Sequence, residues 1–118
     1  MRDLIFAGSS QDDLRDFPKS ARRKAGFALS LAQDGKKHVL AVPMKGFSGA
    51  SVLEIRIDEN SDAYRAVYAV AFADAIYVLH CFQKKSRKGI ATPQRDIDLI
   101  KQRLKDAKEF SDARRKGE

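Results

Sequence analysis

The sequence has few of the features expected of a secreted or membrane-bound protein. It contains a single cysteine, Cys81, and one cysteine cannot form an internal disulfide, which favours a reducing compartment. No stretch approaches the roughly 18 consecutive apolar residues of a membrane-spanning helix. The apolar run Leu4–Ala7 is too short for the hydrophobic region of a signal peptide. We therefore expect a cytoplasmic protein with no membrane partner.

The sequence also lacks the spacings that mark metal and cofactor sites. Its two histidines and one cysteine lie far apart, which fits no zinc-binding pattern. Neither a phosphate-binding loop motif nor the glycine motif of dinucleotide-binding folds is present. The acidic residues form no pair placed for metal-ion catalysis. We expect no metal and no small-molecule cofactor.

What the sequence does have is positive charge. Lysine and arginine number 23 against 16 acidic residues, a net charge of +7, and the pI is near 9.7. A domain this basic suggests a nucleic-acid partner, and we expect RNA. The 118 residues suit one domain that needs no disulfide or metal to fold. We expect that domain over residues 1–110, followed by a charged, frayed tail over residues 111–118.

Apolar spacings of three and four residues predict helices. Hydroxyl and acidic residues at 9–13 indicate a first helix start. A longer helix is predicted from Pro18 to a stop at Gly35, with an alanine-rich stripe. Thr92 as cap and Pro93 in the first turn predict a last helix, whose apolar stripe is Ile97, Ile100, Leu104 and Ala107.

Alternating and β-branched segments predict strands at Asp3–Gly8, Val52–Ile57, Tyr64–Phe72 and Ile76–Gln83. In the second of these, Glu54 and Arg56 should face water. Lys36–Ser51 contains proline and glycine without a period, which indicates a loop. Short connections between the last three strands favour an antiparallel meander. The fold class is therefore α+β.

Arg65 is a cation within an otherwise apolar strand. An arginine on a half-buried face must be paired or must line a cleft. One interpretation is a salt bridge to Glu54 on the neighbouring strand. The other is a phosphate ligand, because the guanidinium fork matches phosphate oxygens.

A dense cationic cluster, Lys84–Lys88, follows the last predicted strand. It is either a solvated loop or a lip that binds RNA phosphates. His80 lies within that strand, and alternation places it on the opposite face from Leu79 and Cys81. A lone strand histidine is most often structural.

Several of these segments together resemble the phage-related, HigB-like branch of the RelE/ParE toxin superfamily. The segments are Tyr64–Tyr68, Val78–Ser86, Thr92-Pro93 at a helix start, and Met44–Phe47 leading into Val52–Arg56. The resemblance spans Phe17 to Ala107. It implies a RelE-like fold, a small twisted antiparallel sheet with N-terminal helices and one C-terminal helix.

The resemblance also implies the toxin of a type II toxin–antitoxin pair, a ribosome-dependent mRNA endonuclease neutralised by a helix-turn-helix antitoxin. Cleavage would be metal-free, by attack of the RNA 2′-hydroxyl on the scissile phosphate. The matching positions make Arg65, Lys84, Lys85 and His80 the catalytic candidates. Arg56, Arg87, Lys88 and Lys45 are then candidate RNA contacts.

One departure from the family's pattern, and the functional diversity of the superfamily, leave alternatives open. Many RelE-like enzymes use a tyrosine beyond the final strand, and none follows Phe82 here, so the general base is undetermined. The superfamily also contains gyrase-targeting, ParE-like toxins without nuclease activity. A fold alone does not fix an activity, so a gyrase poison or an inactive nucleic-acid-binding module stays an alternative.

Overall fold

The computed structural model describes residues 1–47, 51–84 and 91–117. These residues form one five-stranded sheet and three helices. In chain order the elements are β1 (Asp3–Phe6), α1 (Ser10–Arg15), α2 (Lys19–Gln33), β2 (Ala41–Pro43), β3 (Val52–Glu59), β4 (Asp62–Ala69), β5 (Ala75–Lys84) and α3 (Gln94–Lys116). The strand order is β1-β5-β4-β3-β2. The predicted α+β class is confirmed.

The sheet is mixed, not purely antiparallel. β1 pairs in parallel with β5, and the long stretch of chain between the two supplies the crossover that a parallel pair needs. β2, β3, β4 and β5 pair antiparallel, as the meander prediction required. β2 lies inside the segment predicted as a loop. It is only three residues long and sits at the sheet edge, where Pro43 is tolerated.

Helices α1 and α2 cover one face of the sheet. The buried stripe of α2 is almost entirely alanine, and Ala21, Ala25 and Ala28 have no exposed surface. Such small side chains let the helix lie close to Ile55 and Ile57 of β3 in the same apolar cluster. The helix begins after Pro18 and ends before Gly35, whose φ is +78°, so both predicted bounds are confirmed.

Helix α3 covers the opposite face. Ile100 and Ala107 are buried there, which confirms the predicted stripe. Thr92 is not the cap, because Pro93 occupies the N-cap position and no side-chain cap bond forms. The helix also continues through Lys116 and buries Ser111. The prediction of a frayed tail from residue 111 is therefore wrong, because polar contacts with the sheet fix this part of the helix.

Two predictions about strand faces fail, the first because helices cover both faces of the sheet and the second because β5 contains a bulge. Glu54 does not face water and is only 5% exposed. In β5, Val78 pairs with Tyr68 while His80 pairs with Val67, so Leu79 is an extra residue in the ladder. This bulge resets the alternation, and both Leu79 and His80 lie on the face that α3 covers.

Candidate active site and nucleic-acid interface

The face of the sheet under the first turns of α3 gathers most of the candidate residues. Directly paired residues of neighbouring strands point to the same face, and the register defines three rows across β3, β4 and β5. The rows are Glu54–Val67–His80, Arg56–Arg65–Phe82 and Asp58–Ala63–Lys84. Four predicted site residues therefore share one face of the sheet.

Arg65 lies at the centre of this face and is bound by two acids. Its side chain is 8% exposed. Nε lies 3.3 Å from Glu54 Oε1, although within the described part of the chain it makes no hydrogen bond. Nη1 donates to Asp58 Oδ1 at 3.1 Å and to the Tyr64 carbonyl at 3.0 Å. The salt bridge to Glu54 that the sequence suggested is present.

Beside Arg65, β3 and the start of α3 enclose a cleft of about 380 Å³. Its charged lining consists of Glu54, Arg56 and Lys45, and its remaining lining residues are Met44, Ala91, Thr92 and Ile97. Arg56 is half exposed, and its Nε lies 3.5 Å from Glu54 Oε2. The cleft therefore places one buried carboxylate between two guanidinium groups, with a lysine at its wall.

Glu54 is the functional candidate that the sequence analysis missed. Its position between Leu53 and Ile55 made it look solvent-facing, because alternation implied a single buried face. A usable signal was present in β4, where Arg65, Val67 and Ala69 alternate with Tyr64, Ala66 and Tyr68. Since both sets include apolar residues, β4 needs cover on both faces, and its neighbour β3 needs the same.

His80 is 7% exposed and both of its ring nitrogens face protein groups. Nε2 lies 2.8 Å from Asp96 Oδ1 in the first turn of α3. Nδ1 lies 3.5 Å from Arg103 Nη1, which can only donate. In the neutral imidazole this makes Nδ1 the acceptor and Nε2 the donor to Asp96. The ring also stacks on Phe82 at 4.7 Å, so His80 ties the start of α3 to the sheet.

The other predicted cations are distributed as follows. Lys45 is exposed at the cleft, and Lys84 is half buried at the end of β5. Lys84 and His80 share the sheet face with Arg65 but do not line the cleft. Lys85, Arg87 and Lys88 lie outside the described residues.

Within the described residues, no three histidine, cysteine or acidic side chains come together in a group that could hold a metal ion. Among the same residues, no helix combines the length and apolar character needed to cross a bilayer.

The architecture and the charged face define a class, a small basic α+β protein with a RelE-like arrangement of sheet and helices. The sequence profile of the family described as "Phage derived protein Gp49-like (DUF891)" matches residues 12–105. The chain belongs to this family, a RelE/toxin-like family of toxin–antitoxin systems. No curated protein matches the chain.

Proposed function

We propose that this protein is the toxin of a type II pair in the HigB-like branch and cleaves mRNA on the ribosome, in the cytoplasm. The observation that carries the proposal is the cleft whose charged lining consists of the Glu54 carboxylate, Arg56, which pairs with it, and Lys45. RNA cleavage needs cations at the phosphate and a proton acceptor at the 2′-hydroxyl. The cleft holds both kinds of group within one small volume.

In the proposed reaction the 2′-oxygen attacks the adjacent phosphorus and the bond to the 5′-oxygen breaks. Glu54 accepts the 2′-hydroxyl proton, while Arg56 and Lys45 neutralise charge that accumulates on the phosphate. The departing 5′-oxygen leaves on the side of Lys84, which lies on the same sheet face but outside the cleft lining, and in this proposal Lys84, with Lys85, delivers a proton to it. The products are a 2′,3′-cyclic phosphate and a 5′-hydroxyl. Side-chain cations supply the positive charge, so the mechanism uses no metal.

Arg65 has a positioning role in this proposal. Its guanidinium is shared between Glu54 and Asp58, and it would have to leave both acids to bind a phosphate directly. It therefore holds the Glu54 carboxylate in the cleft. His80 supports the first turn of α3 through Asp96, and that turn forms a wall of the cleft through Ile97. Arg87 and Lys88 extend the RNA-binding surface.

The proposal includes two partners, translated mRNA and a helix-turn-helix antitoxin. The family supports an antitoxin in general terms. Translated mRNA is proposed because the resemblance to RelE-like nucleases implies it, and because the cleft lining offers cations for an RNA phosphate. An antitoxin that neutralises the nuclease would bury the cleft or keep the toxin off the ribosome.

The deciding experiment is induced expression followed by genome-wide mapping of mRNA 5′ ends. We expect new 5′-hydroxyl ends inside the reading frames of translated messages. Glu54→Gln should lower single-turnover cleavage by about 10²–10⁴, and Lys108→Gln, an exposed cation on the far part of α3, is the matched control. DNA damage without new mRNA ends would instead establish the gyrase-targeting alternative.

A further inference from the structure

The solvent-facing side of α2 is the most one-sided charged surface among the described helices. Residues 19–33 include Lys19, Arg22, Arg23 and Lys24 and no acidic residue. Lys24 pairs with Glu59 at 2.9 Å, and Arg22 donates to the Arg15 carbonyl at 3.1 Å. Within residues 1–47, 51–84 and 91–117, the side chains of Lys19 and Arg23 make no ion pair or hydrogen bond. Two adjacent cations one helical turn apart are thus left to solvent.

Gly26 and Phe27 lie beside these two cations on the same outward stripe. Gly26 is in the middle of a helix, which costs about 1 kcal/mol relative to alanine. A Cβ built at Gly26 meets nothing within 4 Å, so no contact inside the protein explains the glycine. Phe27 is 59% exposed, and its ring contacts that of His38 edge-on, with the ring centroids 5.5 Å apart. The stripe therefore combines free cations, an open notch and an exposed aromatic ring.

This stripe and the cleft lie on opposite faces of the sheet. The buried side of α2 packs on Ile55 and Ile57 of β3, whereas Glu54 and Arg56 of the same strand line the cleft. An RNA strand held in the cleft is consequently separated from α2 by the sheet. Any RNA that binds α2 is a second segment.

We propose that the α2 stripe formed by Lys19, Arg23, Gly26 and Phe27 is a second RNA-binding surface, whose occupant is ribosomal RNA. The inference rests on the proposed function, because it explains how the enzyme is held on the ribosome while mRNA occupies the cleft. Lys19 and Arg23 contact phosphates, the Gly26 notch admits the RNA backbone, and Phe27 stacks on a base.

The composition of the stripe favours RNA over a protein partner. The cores of protein interfaces are depleted of lysine, although they are enriched in arginine and phenylalanine. Here two unpaired cations, one of them a lysine, precede a single exposed aromatic residue on the stripe, and single-stranded RNA binds to such combinations of phosphate-binding cations and a stacking ring. Charge complementarity alone would also admit an acidic protein, so the test includes that outcome.

The test measures binding of the full-length protein to purified bacterial 70S ribosomes by co-sedimentation, across a range of salt concentrations. Lys19→Gln/Arg23→Gln should weaken binding by at least about tenfold and lower the slope of log affinity against log salt by about two. Phe27→Ala should weaken it by roughly tenfold without changing that slope. The matched control is Lys101→Gln/Lys105→Gln, which removes two exposed cations at the same spacing on α3 and should change binding little.

Gly26→Leu is the steric test, because it fills the notch without changing charge or crowding the protein. It should not lower the melting temperature, because leucine is also a better helix former than glycine, and it should reduce ribosome binding. Unchanged binding by all three α2 variants would overturn the proposal and make an acidic protein the occupant to seek. If those variants bind normally while mRNA cleavage is intact, only this inference fails. If α2 mediates ribosome binding but no message is cut, only the proposed nuclease fails, and absence of ribosome binding by the parental protein would overturn both.

Discussion

Arg65 illustrates what a charged residue must do on a buried strand. Its guanidinium sits against Glu54 and Asp58, and removing it would leave the Glu54 carboxylate, 6% exposed at its side chain, without its closest cation. Breaking one side of a buried ion pair costs far more than the pair itself contributes. Loss of toxicity in an Arg65 variant therefore has to be separated from loss of folding.

We expect Arg65→Ala to lower the free energy of unfolding by about 3–5 kcal/mol. Arg56→Ala, which removes the directly paired but 52% exposed arginine, should cost no more than about 1 kcal/mol. Urea unfolding followed by circular dichroism gives both values. Equal losses for the two variants would show that Arg65 has no special structural role.

Two glycines give opposite predictions for the same substitution. Gly26→Ala should raise the free energy of unfolding by roughly 0.5–1 kcal/mol, because the helix gains propensity and the site is open. Gly35→Ala should lower it by about 1–2 kcal/mol, because φ is +78° there and a side chain disfavours that conformation. Apart from the adjoining residues and, at Gly26, the backbone of the helix itself, no atom of the described residues lies within 4 Å of the new Cβ at either site, so conformation separates them. Thermal melts of both variants measure the two effects. If both melting temperatures shifted in the same direction, the conformational explanation would be contradicted.

At the scale of elements, α3 is fixed to the sheet at both ends by polar contacts. His80 holds Asp96 at the start of the helix. Near its end, Asp74 in the connection before β5 accepts hydrogen bonds from Ser111 and Tyr77, each at 2.7 Å. Arg114 Nη1 lies 3.5 Å from the same carboxylate. These contacts explain why the helix continues past Phe110.

The pH dependence of stability tests the Asp74 contacts. Burial raises the pKa of Asp74, but the hydrogen bonds from Ser111 and Tyr77, together with Arg114, outweigh it and leave the pKa below its ordinary value. Folding is then favoured by ionised Asp74 at pH values above that ordinary value, near 3.9. The contribution is lost as pH falls through the lower pKa of the folded state.

Asp74→Asn should therefore destabilise the protein most at neutral pH, and its difference from the parental protein should shrink below about pH 4. Urea unfolding at several pH values measures this difference. Asp112→Asn removes a more exposed acid from helix α3, with 41% of its side chain exposed, and should have little effect on stability at any pH. A constant difference for Asp74→Asn across this range would rule out the ionised carboxylate as its origin.

At the scale of the whole molecule, both faces of the sheet are covered by helices and both carry cations on the outside. The cleft under α3 holds Arg56 and Lys45, and α2 carries Lys19 and Arg23 on the other side. Cations are thus present on two surfaces of this protein, whose net charge is +7. If the proposed function is correct, these surfaces would contact two RNA segments at once.

The proposed chemistry predicts cleavage that is independent of added transition metals. With ribosomes whose magnesium is retained, a chelator selective for transition metals should leave the single-turnover rate unchanged, because the side chains supply the cations. If the chelator inhibited cleavage and a specific added transition metal restored the rate, the mechanism assigned to Glu54, Arg56 and Lys45 would be overturned.

The amino-acid sequence by itself determined the helices, the three meander strands and the basic character of the protein. Those features depend on local periodicity, on Pro18 and Gly35 as residues that start and end a helix, and on charge. Each of these can be read from a short stretch of the sequence. The residue pattern also singled out Arg65 and the Lys84–Lys88 cluster, and the family resemblance added catalytic roles for Arg65 and Lys84. The structure places these two residues on one face with Arg56 and His80.

Only the tertiary structure decided which face each side chain occupies and what it contacts there. Glu54 became buried because α3 covers the second face of the sheet. His80 lies opposite Cys81 as predicted but shares its face with Leu79, because the bulge at Leu79 inserts one residue into the ladder. The parallel pairing of β1 and the helical continuation through Ser111 likewise depend on partners about 70 and 37 residues away. Alternation within one strand carries no information about such distant partners, so the residues that line the cleft could not be predicted from the sequence alone.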